Sequence, residues 1–486
     1  MTDNRRIIQA VFAATFLLIG ILDAILFIKL KSQIYFLPFL VGVLLLYIFI
    51  AKQYVNPGRL LIGMMYFLVM TTFLNQSVLS IHIGFFNLFL YRIVLILEAI
   101  IFLIFWWKEK NGVLNWNRVN VKPILFFLLF WMAYGFVSLL WSKSVLDGFK
   151  YMVLIGTGVL FVYLAVFIFQ KYTHLNIFYG IWMLMTTVLL ILGLINHFGH
   201  VQLPTSTLYG GPDYKMSYPT AVFFNQNDFA TFLSISFFFY FSAAINSKSV
   251  WIKSLSILLG LLSVYIIYLT ESRASLLGIM VGVISYLFII LPRTIKKIAV
   301  FVCSFMVIAG SVIFLKKITS LLGLFFNPIN QTSSNMVRLN LLKNDLHFVL
   351  ETFGFGVGAG NIPFYLKNEA IYDTNHVLEV HNWLAEIIGN FGIVIFCGYI
   401  TLYLYLFYSL YKVYKAKRGL EQKGIMEACM LGLISFLVSS ISPSSVSNLY
   451  FHWVFLGFVI STVNVLKNNQ SKQKFNTKGQ GLNGTY

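Results

Sequence analysis

The chain has 486 residues, 59% of them hydrophobic and only 10% charged, with a formal net charge of +19 at pH 7. Soluble domains carry about 25% charged residues, so this composition excludes a water-soluble globule and indicates an integral membrane protein. The surplus Lys and Arg sit in short connections between apolar runs, where they read as membrane topology and argue against nucleic acid as a partner.

Runs of about 20 apolar residues predict an all-α polytopic membrane protein of about fourteen helices. They lie near residues 7–28, 34–51, 60–81, 84–107, 122–141, 149–170, 176–198, 220–245, 251–270, 273–291, 296–315, 382–411, 425–441 and 449–466. The seam at Ile81 to Gly84 is short enough for a tight hairpin between the third and fourth spans. Apolar Ile7 to Ile28 is too long for a signal-peptide core and has no small-residue cleavage site. Cys303, Cys397 and Cys429 all fall in apolar segments and read as packing residues.

The pattern divides the chain into a bundle over 1–315, a large outer loop over 316–380 between the eleventh and twelfth spans, a second bundle part over 381–466, and a polar tail over 467–486 expected to be disordered. Basic clusters at Lys52/Arg59, Lys108/Lys110/Arg118/Lys122, Lys248/Lys253, Arg293/Lys296/Lys297 and Lys412/Lys415/Lys417/Arg418 fall on alternate connections. By the positive-inside rule both termini are cytoplasmic. The polar features then face outward: Gly199 to Tyr218, FFNQNDFA (Phe223 to Ala230), TESRAS (Thr270 to Ser275), the 316–380 loop and SPSSVSN (Ser442 to Asn448). ATP and nucleotide sugars are poor candidates for a substrate on that face.

Several of these residues suit chemistry at a membrane surface. Arg273 opens an apolar helix, where its guanidinium fork can hold a phosphate; the plainer alternatives are an ion pair with Glu271 or an interfacial anchor. Arg338 begins VRLNLLKNDLHFVLE, whose apolar residues recur at helical spacing and predict an amphipathic helix on the outer surface; Lys343 shares that helix. His381, followed by Asn382 and the twelfth span, sits where a titrating imidazole can take a proton from a hydroxyl. Asp373, His376, Glu379 and His381 offer metal-ligating groups, but their spacing matches no metal motif. Asn225, Asn227 and Asp228 are costly in lipid and are expected to face the bundle or a cavity. Arg92 and Glu98 read as structural. GFGVGAGN (Gly354 to Asn361) lacks the strand–turn–helix setting of a nucleotide loop and is expected to pack the outer loop onto the bundle. With no D-x-D carboxylate pair, P-loop or G-x-S-x-G, a metal-dependent nucleotide-sugar transferase is disfavoured, and no cofactor is expected.

NQNDFA, TESRASLLG, Arg338, GFGVGAGN and HNWLAEIIGNFG together resemble the O-antigen ligase/polymerase family over roughly Pro219 to Gly392. The chain departs from the family pattern at Ile395, at Asn390/Phe391 and at Gln226. The resemblance implies a multi-pass protein of the bacterial cytoplasmic membrane, with an undecaprenyl-diphosphate-linked oligosaccharide as donor and membrane lipid around it. It leaves room for other polysaccharide-assembly proteins as partners. It implies that Arg273 and Arg338 stabilise the departing diphosphate, worth about 10²–10³ each in rate. His381 would deprotonate the acceptor hydroxyl, worth about 10²–10⁴, in an inverting, metal-independent transfer. Asn382, Asn225, Asn227, Asp228 and Lys343 would contact substrate. The Phe/Tyr/Asn/Lys-rich composition points to an AT-rich genome and to capsule or teichuronic-acid-like polymerisation. A ligase acting on a lipid or protein acceptor, a flippase or transporter, and a non-catalytic scaffold are the competing readings. Clustering of the polar groups at one face favours an enzyme over a transporter.

Overall fold

The computed structural model describes residues 57–74, 80–83, 86–108, 116–292, 294–298, 301, 334–416, 419–443, 445 and 449–482. The expected spans 7–28 and 34–51, most of 296–315, Cys303 and the first part of the outer loop lie outside these residues, as do Lys52, Lys110, Arg293, Lys417 and Arg418. Each of the other eleven expected spans falls on one helix. In chain order these are α1 (Pro57–Thr71), α2 (Leu90–Lys108), α3 (Lys122–Ser138), α4 (Val145–Ile168) and α5 (Tyr172–Gly199). After the short α6 (Asp213–Met216) come α7 (Gln226–Asn246), α8 (Val250–Leu269) and α9 (Arg273–Ile290). The outer loop contributes α10 (Ser334–Glu351) and α11 (Ile362–Asn368), and the chain closes with α12 (Trp383–Tyr414), α13 (Leu420–Ser439) and α14 (Tyr450–Leu482). Among the described residues nine helices are long and apolar enough to cross a membrane; α1 and α3 are shorter apolar helices. The protein is an all-α, multi-pass membrane protein.

Two elements differ from expectation. The seam before α2 is an antiparallel hairpin, β1 (Ile81–Ile83) with β2 (Phe86–Leu88), in the register Ile81↔Leu88 and Ile83↔Phe86. The tail expected to be disordered instead continues α14 as far as Leu482, through a stretch rich in Lys and Gln, which propagate a helix well, and without Pro.

The core is aromatic. Trp131, Trp182, Trp383 and Trp453 are fully buried, with Trp131 meeting Phe391 edge-on at 5.6 Å and Trp182 stacked on Phe239 at 5.2 Å. The helix α7 lies at the centre, packed on α8 and α13, while α14 packs on α4. The perimeter is apolar and exposed, from Leu103 through Leu140 to Leu258 and Leu261. In water that would be an aggregating surface; here it faces lipid, with exposed Trp107 and Trp251 at helix ends where amphipathic rings settle at the bilayer interface.

The loop over 316–380 is fastened to this bundle by backbone contact. The chain breaks helical geometry at Gly392 within α12 (φ 76°, ψ −173°). Into that break fits Gly356 (φ 80°), where a Cβ would come within 2.6 Å of the Gly392 nitrogen. Val357 N donates to Gly389 O (2.8 Å), Gly358 N to Asn390 O (3.0 Å) and Ile393 N to Gly354 O (2.9 Å). The glycine run is therefore a seam between loop and bundle. Asn390 closes it: its Oδ1 accepts from Asn361 N (3.0 Å) and its Nδ2 donates to Glu386 O (2.9 Å).

The helix α10 is rotated from the expected amphipathic arrangement. Leu346 and Leu350 are exposed, whereas Asn340, Lys343, Asn344 and Asp345 are buried with Leu341 and Phe348. The reason is local: Asn344 accepts from Ile371 N (2.9 Å) and Tyr372 N (3.0 Å), and Asn340 Nδ2 donates to Asp373 O (2.8 Å). The amide edge of α10 clamps the chain that runs on to His381.

Candidate active site

Asn225 caps α7, its side chain accepting from Asp228 N at 2.9 Å, as short polar side chains do for the orphan amides of a helix start. Two residues along, Asn227 Oδ1 accepts from Ser442 Oγ (2.9 Å) in the α13–α14 connection. Ser442 Oγ lies 3.2 Å from Ser272 Oγ, the residue that precedes Arg273 and α9. Three motifs distant in sequence are thus stitched together by hydroxyl and amide groups at one end of the bundle. Arg273 is exposed at that seam. No ion pair joins it to Glu271 among the described residues; Glu271 accepts instead from Tyr218 OH (3.2 Å).

His381 precedes Asn382, which caps α12 by accepting from Leu384 N (3.0 Å) and Ala385 N (3.2 Å). Trp383 N donates to Ser440 O (3.2 Å), and the buried indole donates to Tyr399 OH (2.8 Å). These bonds press the start of α12 against the α13–α14 turn. His381 has φ 54°, a left-handed backbone that costs a non-glycine residue free energy and collects at functional sites. Its ring faces the backbone of Ser442 and Pro443, and Nδ1 is buried without a hydrogen-bond partner. Burial holds the imidazole pKa below its ordinary value, and the nearby Arg338 guanidinium acts in the same direction; the Glu379 carboxylate and the Ser442–Pro443 backbone oppose them. The outcome is a neutral imidazole at neutral pH with a proton-accepting nitrogen to spare.

Glu379 links this centre to a cavity of about 680 Å³, within the roughly 300–1,000 Å³ typical of small-molecule sites. Its charge acts on both His381 and Asp228, and it lines the cavity with Asn225, Asp228 and Ser445. His381 and Arg338 do not line the cavity themselves; the Glu379 carboxylate and the Arg338 guanidinium both act on the His381 ring. Arg92 and Tyr450 line it as well.

Of the residues singled out by sequence, Asn225 and Asp228 line the cavity, while His381, Asn382, Arg338 and Asn227 gather beside it and Arg273 borders the seam. Lys343 lies apart from these residues. It is buried with its ammonium 4.9 Å from the centre of the Tyr372 ring, on the side of α10 that grips the 371–373 segment. At five residues from Arg338 it lies on a different face of the helix. Arg92, which the sequence reads as structural, also lines the cavity. The available signal was an arginine within an apolar run, which is a functional-site marker by default. Among the described residues no group of three or more His, Cys, Asp or Glu side chains is placed to hold a metal. Cys397 and Cys429 are free.

Residues 258–400 match the family described as O-antigen ligase. Over 468 residues the chain is 46% identical to the teichuronic acid biosynthesis protein TuaE of Bacillus subtilis (strain 168), a match covering 95% of this chain and 95% of that protein. This chain belongs to the O-antigen ligase/polymerase family. Membership carries a glycosyltransferase-type role in polysaccharide biosynthesis, with a lipid-linked polysaccharide as the class of substrate. No solved structure matches.

Proposed function

We propose that this chain polymerises a cell-surface polysaccharide, on the outer face of the cytoplasmic membrane, by transferring glycan from an undecaprenyl-diphosphate carrier to a sugar hydroxyl of a second lipid-linked unit. The observation that carries the reading is the neutral His381, with its unpartnered Nδ1, under the influence of both the Arg338 guanidinium and the cavity-lining Glu379. His381 takes the proton as the acceptor hydroxyl oxygen bonds to the anomeric carbon. The bond from that carbon to the diphosphate oxygen breaks with inversion, and the electron pair leaves with the diphosphate. Arg338 and Arg273 meet the growing negative charge as positioned cationic donors. Charge neutralisation by guanidinium groups gives the leaving diphosphate what a divalent cation would otherwise supply. The TuaE relative is named for teichuronic acid biosynthesis, which supports the reading of a role in building the glycan.

The test is turnover by purified protein in detergent, with undecaprenyl-diphosphate repeat units from the native host and EDTA present. A ladder of longer lipid-linked glycans is expected. Transfer only to an added lipid or protein acceptor would make the chain a ligase. Movement of lipid-linked sugar across vesicles without transfer would overturn the enzymatic reading.

A further inference from the structure

The chain leaves α10 through Thr352-Phe353-Gly354-Phe355, and both phenylalanines are exposed, Phe353 at 92% and Phe355 at 57%. Leu346 and Leu350, on one face of α10, are exposed and lead up to them. Phe353 also has φ 51°, at a helix end that ordinarily takes glycine. That backbone costs free energy, and a side chain so exposed finds little in the protein to offset it. One residue on from each leucine, His347 and Glu351 pair at 3.0 Å, and there the apolar face ends.

The backbone of this turn is closed off from solvent partners. Each amide from Phe353 to Ala359 donates inside the protein: in turn to Leu350 O, Val349 O, Thr352 O, Thr352 Oγ1, Gly389 O, Asn390 O and Ser138 Oγ. The carbonyls of Gly354, Phe355 and Gly356 accept from Ile393 N (2.9 Å), Tyr134 OH (2.7 Å) and Trp141 Nε1 (3.0 Å). Water would complete such bonds for a solvated turn, whereas hydrocarbon requires the protein to supply them. The turn also stands between two lipid-facing helices. Ile393 and Val394 are exposed on α12. On α3 the exposed Phe130 and Val137 neighbour Tyr134 on the helix surface, and exposed Leu140 follows. The apolar perimeter thus continues from α3 across Phe355 and Phe353 to α12.

We infer that Phe353 and Phe355, with Leu346 and Leu350, form a wedge of the 316–380 loop that inserts among the acyl chains of the leaflet at this end of the bundle. Its partner is lipid hydrocarbon; continuity with the lipid-facing perimeter on both sides selects lipid over a second copy of the chain. The wedge sets the depth at which the end of α10 meets the bilayer, whatever chemistry His381 performs.

The test is spin-label accessibility in full-length protein whose Cys303, Cys397 and Cys429 are replaced by Ala, in liposomes of palmitoyl-oleoyl phosphatidylglycerol and phosphatidylethanolamine. Nitroxides are placed by Phe353→Cys, by Val394→Cys on the lipid-facing perimeter and by Lys367→Cys at an exposed charged position of the loop. Oxygen concentrates in hydrocarbon and a nickel chelate in water. The oxygen-to-nickel ratio at 353 should match that at 394 and exceed that at 367 several-fold. A ratio at 353 equal to that at 367 overturns the wedge, and so does shielding from both reagents, which would put protein there. If the cysteine-free chain does not fold, p-benzoylphenylalanine replaces Phe353 in the otherwise unaltered chain, and irradiation in the same liposomes should yield lipid adducts. Cross-linked protein dimers without lipid adducts, or no adduct of either kind, overturn the wedge as well.

Discussion

Replacing Gly392 by Ala tests how the 316–380 loop is held against the bundle. The backbone there has φ 76° and ψ −173°, a region open essentially to glycine alone, and occupying it costs another residue about 1–3 kcal/mol. The new Cβ would also stand 2.1 Å from Gly354 O. That atom is backbone and cannot swing aside, so the Gly354–Gly358 segment must withdraw. Withdrawal breaks the three bonds that join it to 389–393, each worth about 0.5–1.5 kcal/mol net. The combined loss is about 3–7 kcal/mol, much of a typical protein's margin. Thermal unfolding in detergent should show a well-separated drop in melting temperature, and glycan transfer should fall with it, because the seam joins the end of α10, which carries Arg338, to α12, which His381 precedes. Gly63→Ala is the control. Gly63 lies within α1 with nothing within 4 Å of the added Cβ, so helix propensity predicts unchanged or slightly raised stability. A Gly392→Ala protein as stable as wild type would refute this account of the seam.

The pH profile follows from His381. The general base must be neutral, and burial with Arg338 keeps its pKa below the ordinary 6.5; activity is therefore full at neutral pH and its acidic limb lies below that value. Glu379→Gln removes a charge that favours protonation and moves the limb to lower pH, whereas Arg338→Gln moves the limb of its residual activity upward. A limb that stays put in both variants would separate His381 from the titration. Ser442→Ala strips Asn227 Oδ1 of its 2.9 Å donor and severs the link to Ser272, at a cost of about 1–3 kcal/mol read by thermal unfolding. Ser440→Ala removes only a bond to Leu437 O in its own helix and should cost less.

The span pattern was legible because lipid demands long apolar runs and leaves charge at their ends. Eleven of the expected spans coincide with described helices for that reason. His381, Arg338 and the asparagines of NQND were legible as isolated polar groups flanking those runs. What no single segment displays is where a polar residue finds its partner. The leucines of α10 repeat as a membrane-facing stripe would, yet Asn340 and Asn344 take the inner side because the 371–373 backbone needs their amides. Lys343 goes inward with them. Gly392 sits in a sequence that reads as unbroken helix, and its break exists only because the glycine run of another segment enters there. Arg92 looked structural since Asn87 and Tyr450, which hold it, lie five residues before it on the same segment and at the start of the last helix.

The most direct measurement of the central claim is the single-turnover rate of glycan transfer by wild type, His381→Ala and Arg338→Ala, each checked for an unchanged melting temperature. Loss of the general base should slow transfer by about 10²–10⁴, and loss of the arginine by about 10²–10³. Folded variants that transfer glycan at the wild-type rate would contradict the assignment of this site.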